Sequence, residues 1–362
     1  MGLDGWQPSF KKHAERLGIK EVFLDELYGL KDLVFISLEF DQIIKTSKFL
    51  TSQLYNIHFS LLPKYKGMYT SCLPLLNGDM ESGVTLHRMD DGIDTGEIID
   101  QEIFPIPLSL NGYGLYLAYL KHSFFLFKKN IDSILENKVK SEPQNNLFST
   151  YYSKKSIDFS VIEIDFRQTG FQVHNQIRAF SFRPFQLPII DGFKISHSII
   201  TQKRSISKPG SFTQDTAVKR IYSTIDFDVI VYFDQLDLIL QEAKENNLSS
   251  IAKRTEEGYN LTEKNELGWD PLIVAAYHNS FDVLKYLLDN GANPNTTNNK
   301  GTSVLMYAMT ASVTNNDFKS MEYLIASGAN LGHSDYTGIS LMEYAEKYGN
   351  VSVIDFLSLH SK

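Results

Sequence analysis

The last third of this 362-residue chain repeats itself, and a repeat narrows the possible folds more than any composition can. Gly268-Trp269-Asp270-Pro271-Leu272 recurs loosely as Gly301-Thr302-Ser303-Val304-Leu305 and as Gly338-Ile339-Ser340-Leu341-Met342, at spacings of 33 and 37 residues. One unit of that length cannot bury its apolar face alone, so neighbours must stack, and a 33-residue period belongs to helix-pair solenoids. Asp289-Asn290-Gly291-Ala292-Asn293 matches Ala326-Ser327-Gly328-Ala329-Asn330, where each glycine can take the positive φ that ends an outer helix. Val283, Leu284, Leu287 and Leu288 supply the buried stripe of one helix. The second unit carries four extra residues around 312–317.

These segments resemble ankyrin repeats, with the usual Thr-Pro-Leu-His replaced by Asp270-Pro271-Leu272-Ile273. Residues 236–267 then read as a degenerate amino-terminal cap and 338–362 as a carboxy-terminal one, so about three and a half units fit in a repeat domain over 235–362. The resemblance implies a concave binding surface, with Trp269, Tyr277, His278 and Tyr307 near its loops and inner helices. Three readings of that quartet stand: packing between units, a pocket for a nucleotide sugar or other small molecule, and a face for a protein partner.

Upstream of the repeats the texture is α/β. Ser9 can cap a helix through Phe10 and Leu17, with Gly18 as its left-handed stop. Brief apolar runs at 22–24, 33–38 and 55–60 read as strands, and 83–89 and 98–106 flank a turn at 90–96. From 114 to 137, Leu115, Leu117, Tyr119, Leu120, Phe124, Phe127, Ile131 and Ile134 recur at helical spacing as one buried face. Pro143, Gln144, Asn145 and Asn146 suggest a linker, after which strands at 162–166, 193–200 and 227–233, separated by loops at 208–210 and 213–216, build a small β domain. The domains expected are 1–145, 146–234 and 235–362.

Composition limits the functions available. Thirty-five basic against 43 acidic side chains give a formal net charge of −8, which argues against a broad phosphate-coating surface and against nucleic acid as a partner. Cys72 is the only cysteine, so neither a disulfide framework nor a thiolate zinc cluster is available, and a reducing compartment fits. The uncharged-looking run 103–120 contains Pro105, Pro107, Asn111, Gly112 and Gly114, so no membrane span is expected. Residues 1–8 lack a basic segment followed by an apolar run, and a cytoplasmic location is the default expectation.

One constellation carries chemistry. Asn56 and His58 lie two apart and project from the same face of a strand, and Asp94 follows in a glycine-flanked turn. An imidazole, a carboxylate to orient it and an amide donor are the parts needed for an amine to attack a carbonyl: a base, its orienter and an oxyanion stabiliser. Taken alone, His58 reads more readily as a hydrogen-bonded structural histidine and Asp94 as a turn former. Nearby His87 and Asp90 read as strand and turn residues.

The string from Asn56 to Gly67, followed by Gly83-Val84-Thr85-Leu86-His87-Arg88-Met89 and Gly92-Ile93-Asp94-Thr95-Gly96-Glu97-Ile98-Ile99, closely resembles the N10-formyltetrahydrofolate-dependent formyltransferases. The resemblance implies a Rossmann-like core, although the strand, helix and second strand with which that family opens are missing from this sequence. It implies that His58 helps remove a proton from the attacking amine, that Asn56 bonds the formyl oxygen and that Asp94 orients His58. It further implies N10-formyltetrahydrofolate as donor, bound through main-chain groups of Ser37, Leu38, Phe40, Asp91 and Gly92, and no metal.

Where the initiator-tRNA branch continues Ala-Ala-Pro after its Lys-Tyr-Arg-Gly, this chain reads Lys66-Gly67-Met68-Tyr69-Thr70-Ser71. That segment and 174–185 are similar to formyltransferases acting on nucleotide-linked amino sugars. A diphosphate favours Lys66, Arg178 or Arg183, and a flat base favours Phe182, with Tyr69 in the replaced segment. Joined to an ankyrin tail, this resembles the subgroup that formylates the 3-amino group of a dTDP-linked 3-amino-3,6-dideoxyhexose, gluco or galacto, for O-antigen and other surface polysaccharides, working as a homodimer. Two other classes stand beside it: a formyltetrahydrofolate hydrolase, and an ankyrin interaction protein with an inactive enzyme domain.

Overall fold

The computed structural model describes residues 7, 9–40 and 42–360. The segment read for a leader, residues 1–8, lies outside them apart from Gln7. The chain divides into two compact units, Val22–Asp234 and a second made of the described residues up to Glu21 with those from Gln235 onward.

Among the described residues, eleven strands belong to the first unit: β1 (Phe35–Leu38), β2 (Leu54–His58), β3 (Lys66–Gly67), β4 (Glu81–Arg88), β5 (Ile98–Pro105), β6 (Tyr151–Tyr152), β7 (Ile189–Ile190), β8 (Phe193–Arg204), β9 (Phe212–Asp215), β10 (Lys219–Tyr222) and β11 (Phe227–Phe233). The first sheet has the order β1-β2-β4-β5, with β1 parallel to β2 and the remaining pairs antiparallel. Its register sets Ser37 beside Asn56, and Asn56 beside His87. The helix Gly112–Leu135 covers the sheet through Leu115, Tyr116, Tyr119 and Leu126, all buried. Phe59 stacks on Tyr119 at 5.2 Å and Phe104 meets it edge-on at 5.4 Å. The second sheet runs β7-β8-β11-β10-β9, and the helix Gly170–Phe180 lays Val173 and Ile177 against Ile195, Val229 and Val231.

The mixed α/β core, the separate β sheet and the terminal helical repeats agree with the fold read from the sequence. Four local expectations are corrected. Residues 22–24 are not a strand: Leu24–Leu27 is one helical turn, because Glu26 reaches back to the amide of Phe23 and closes the turn. Residues 162–166 form no strand; Ile164 and Phe166 pack individually against the second core. Part of the expected 213–216 loop is β9, paired with β10. The long helix does not bury every residue of its expected stripe: Leu117 and Phe124 are exposed, and Tyr116 and Leu126 take their places inside. Over 24 residues a 3.6 period drifts, and several phases of the pattern fit an aromatic-rich sequence equally well.

In the repeat unit, eight helices pair as Leu236–Lys244 with Leu248–Glu256, Pro271–Tyr277 with Phe281–Asp289, Val304–Asn315 with Lys319–Ala326, and Leu341–Tyr348 with Val351–His360. These four pairs exceed the three and a half units expected, because the degenerate first segment still folds as a complete pair. Asp270, Ser303 and Ser340 cap corresponding helices with side-chain bonds to backbone amides. Gly291 and Gly328 take φ of 88° and 94° after outer helices. The helix Phe10–Arg16, capped by Ser9, belongs to this unit, and Arg16 donates to the carbonyl of Tyr336. No described helix is long and apolar enough to cross a membrane.

Candidate active site

Asn56 and His58 occupy alternate positions of β2, and Asp94 comes to them from the turn between β4 and β5 with a left-handed φ of 54°. The three converge. Nδ2 of Asn56 donates to Oδ1 of Asp94 at 3.2 Å, and Nδ1 of His58 lies 3.5 Å from Oδ2. The amide of Gly67 donates to the same Oδ2 at 2.9 Å. Gln144 clamps the turn from behind, its Nε2 donating to the carbonyls of Asp94 and Gly96 at 2.9 and 2.7 Å.

Nε2 of His58 is 2.8 Å from the carbonyl oxygen of Tyr65. A carbonyl only accepts, so Nε2 carries the hydrogen and neutral His58 presents its lone pair at Nδ1. A proton taken up there lands against the Asp94 carboxylate. Burial lowers the His58 pKa below 6.5, an effect partly opposed by the charge of Asp94 and the bond to Tyr65. Burial alone would raise Asp94, but the neighbouring His87 side chain, the charge of His58 and the Gly67 amide outweigh it and hold Asp94 at about 2. The pair is therefore a neutral imidazole beside a firmly ionised carboxylate.

His87, read from sequence as a strand residue, is part of this cluster. Its Nε2 lies 3.2 Å from Nδ2 of Asn56 and 3.6 Å from Oδ1 of Asp94. Only the β2–β4 register brings it there, a signal absent from local sequence. Both amide hydrogens of Asn56 are directed to Asp94 and His87, so contact with a developing oxyanion requires one of them to be exchanged.

Of the expected donor-binding residues, Ser37 is buried within β1, Leu38 is exposed at its last position and Phe40 is exposed just beyond it. Asp91 turns its carboxylate to Thr46, accepting from the amide at 3.1 Å and the hydroxyl at 2.8 Å, and the amide of Gly92 donates to Asp90. The Thr46–Asp91 bonds tie the segment after β1 to the loop after β4 that holds Asp91 and Gly92.

The expected acceptor-binding residues lie apart from the triplet in their bonding. Lys66 is buried along β3. Tyr69 donates to the Lys154 carbonyl at 2.7 Å and meets Phe159 edge-on. Arg178 donates to Asn175 and to the carbonyls of Pro107 and Leu110, leaving its buried Nη2 without a partner. Arg183 forms a bidentate pair with Asp234 at 2.9 and 3.0 Å. Phe182 sits among Tyr113, Tyr116 and Phe185. In the repeats, Trp269 meets Tyr277 and Tyr307 edge-on at 5.3 and 5.0 Å, His278 adjoins Tyr277, and Asn298 donates to the Tyr307 hydroxyl.

A family model described as formyl transferase matches residues 26–111, which hold the whole triplet, and one for three copies of ankyrin repeats matches 239–335. Among solved structures the chain is similar to WlaRD, a sugar 3N-formyl transferase crystallised in the presence of dTDP and 5-N-formyl-THF, at 48% identity and a TM-score of 0.61, covering 64% of this chain and 84% of that one. It is similar to an N-formyltransferase from Helicobacter canadensis in complex with folinic acid and dTDP-3-aminofucose, at 45% identity and a TM-score of 0.61, covering 65% and 86%. The bifunctional polymyxin resistance protein ArnA of Wigglesworthia glossinidia brevipalpis is 31% identical over 187 residues, 51% of this chain, which thereby spans only 28% of that protein. With its triplet inside the matched segment and near-half identity over more than four-fifths of both solved enzymes, the chain belongs to the sugar N-formyltransferases of the formyl transferase family and carries ankyrin repeats after that portion.

Proposed function

We propose that this protein transfers the formyl group of N10-formyltetrahydrofolate to the 3-amino group of a dTDP-linked 3-amino-3,6-dideoxyhexose, supplying a formylated sugar for bacterial surface polysaccharide. The observation that carries the reading is the contact of neutral His58 with ionised Asp94 beside Asn56. The segments joined by Thr46 and Asp91 fit a pterin bound by main-chain groups of Ser37, Leu38, Phe40, Asp91 and Gly92. When bound, the donor supplies an electrophilic formyl carbon.

The chain's own residues then have limited tasks, because a neutral amine is already a fair nucleophile. His58 accepts the amine's proton at Nδ1 as the new carbon–nitrogen bond forms and gives it up to the departing donor nitrogen as the bond from that nitrogen to the formyl carbon breaks, while Asp94 stabilises the imidazolium in between. Asn56, by turning one of its N–H groups away from Asp94 or His87, donates to the formyl oxygen as negative charge grows on it. Of the cations read for a diphosphate, Lys66 and Arg178 are buried and Arg183 is paired with Asp234, so a diphosphate engages them only by displacing those contacts; Tyr69 and Phe182 are the aromatic surfaces read for the acceptor. The neighbour holding dTDP-3-aminofucose supports a 3-amino acceptor.

The test is a turnover screen with the formyl donor and dTDP-linked 3-amino sugars of gluco and galacto configuration, read by product mass. Acceptor-dependent tetrahydrofolate release with one formyl group added supports the reading. Release without any acceptor indicates a hydrolase, and no release with any acceptor overturns an active enzyme.

A further inference from the structure

We propose that His87 is a positioning residue that fixes the Asn56 carboxamide; as a role in turnover it rests on the formyl-transfer reading above. The two residues are direct cross-strand partners on β2 and β4, and His87 is only 2% exposed. Its Nδ1 lies 2.7 Å from the carbonyl oxygen of Arg88, an atom that can only accept. Nδ1 therefore carries the ring hydrogen, and Nε2 offers its lone pair to Nδ2 of Asn56 at 3.2 Å.

The second amide hydrogen of Asn56 goes to Oδ1 of Asp94 at 3.2 Å. Two acceptors thus hold the carboxamide by its nitrogen. Turning it over would set the Asn56 oxygen against a carboxylate and an imidazole lone pair together, leaving three acceptors facing one another without a donor. With His87 gone, Asp94 alone would oppose that rotation. The backbone carbonyl of Arg88 is the root of the device, because it selects the His87 tautomer.

Geometry of this kind acts on the transition state more than on affinity, since small misplacement of a reacting contact is costly. His87→Leu should lower kcat about tenfold to a hundredfold with KM for donor and acceptor nearly unchanged. His87→Gln, whose side-chain oxygen can again accept from Asn56, should recover most of that loss. In the double variant with Asn56→Ala, the Leu change should add no further loss, because its effect passes through a side chain already removed. Multiplying losses, or a Gln variant no better than Leu, would overturn the role.

A readout independent of turnover keeps the positioning claim separate from the proposed reaction. In 15N-histidine spectra of the intact chain at neutral pH, His87 should show a protonated Nδ1 and an unprotonated Nε2. The opposite tautomer, or a fast-exchanging mixture, overturns the proposal even in an active enzyme. The expected tautomer in a chain that transfers no formyl group retains the positioning and defeats only the reaction.

Discussion

At the scale of single residues, the site works by opposing two burial effects. Burial depresses His58, so the neutral base persists to lower pH, while donors around Asp94 overcome burial and keep it ionised. Since neutral His58 is the working form, kcat/KM should rise with pH along an acid limb whose midpoint lies below 6.5. Asp94 favours the imidazolium, so Asp94→Asn should move that limb to still lower pH and lower kcat by about a hundredfold or more. A limb moving upward would show that Asp94 does not act on His58. Folding favours ionised Asp94, with its pKa at about 2 against an ordinary 3.8, a contribution on the order of 2 kcal/mol. It is present above about pH 4 and lost as pH falls towards 2, so the stability gap between Asp94→Asn and the unsubstituted chain should close over that interval, measured by denaturant unfolding. Asn56 and His58 were legible as a pair because a strand alternates faces, and Asp94 because of its glycine-flanked turn. His87 was not, because its partner lies on another strand and only register reveals it.

At the scale of elements, the short β3–β6 pair shows how little backbone holds the carboxylate. Gly67 takes φ of 87°, and a Cβ there would sit 2.2 Å from the carbonyl oxygen of Tyr152. Gly291, at φ of 88°, has nothing within 4 Å of the same position. Gly291→Ala should therefore cost only the left-handed penalty, about 1–2 kcal/mol. Gly67→Ala should cost more, because it must also part β3 from β6 and shift the amide that bonds Asp94. Urea unfolding of both variants checks the ranking, and equal losses would mean that β3 yields freely. A bystander role for β3 would also leave turnover of Gly67→Ala near normal, whereas the geometry predicts its loss. Such crowding is invisible in sequence, where both positions are simply glycine. The error at residues 22–24 has a similar origin: a single capping contact from Glu26 decided between turn and strand, and three apolar residues carry too little periodicity to overrule it.

For the whole molecule, the repeats were legible apart from the first pair, whose degenerate sequence reads as a cap, because the helices, caps and glycines of the others are specified within about 33 residues. The sheet order was not, since it depends on pairings distant in sequence, with β1 left at an edge. Each unit buries apolar residues of its own, which makes ligand linkage a way to ask where each ligand binds. A ligand at a hundred times its Kd stabilises the unit that holds it by about 2.7 kcal/mol. In a unit the size of Val22–Asp234 that is a rise in Tm of about 5–10 °C. The folate donor should therefore shift the transition of Val22–Asp234 alone. A dTDP-linked amino sugar should shift that transition as well, and should shift the repeat unit's transition too if the Trp269, Tyr277, His278 and Tyr307 cluster is a nucleotide-sugar pocket. Trp269→Ala should then abolish the second shift and leave the first intact, which differential calorimetry resolves. If the sugar never moves the repeat transition, the cluster is packing or a protein-binding face. If Trp269→Ala lowers that transition without any ligand present, its edge-on contact to Tyr307 is what holds its repeat to the next, with Tyr277 packing within the same repeat.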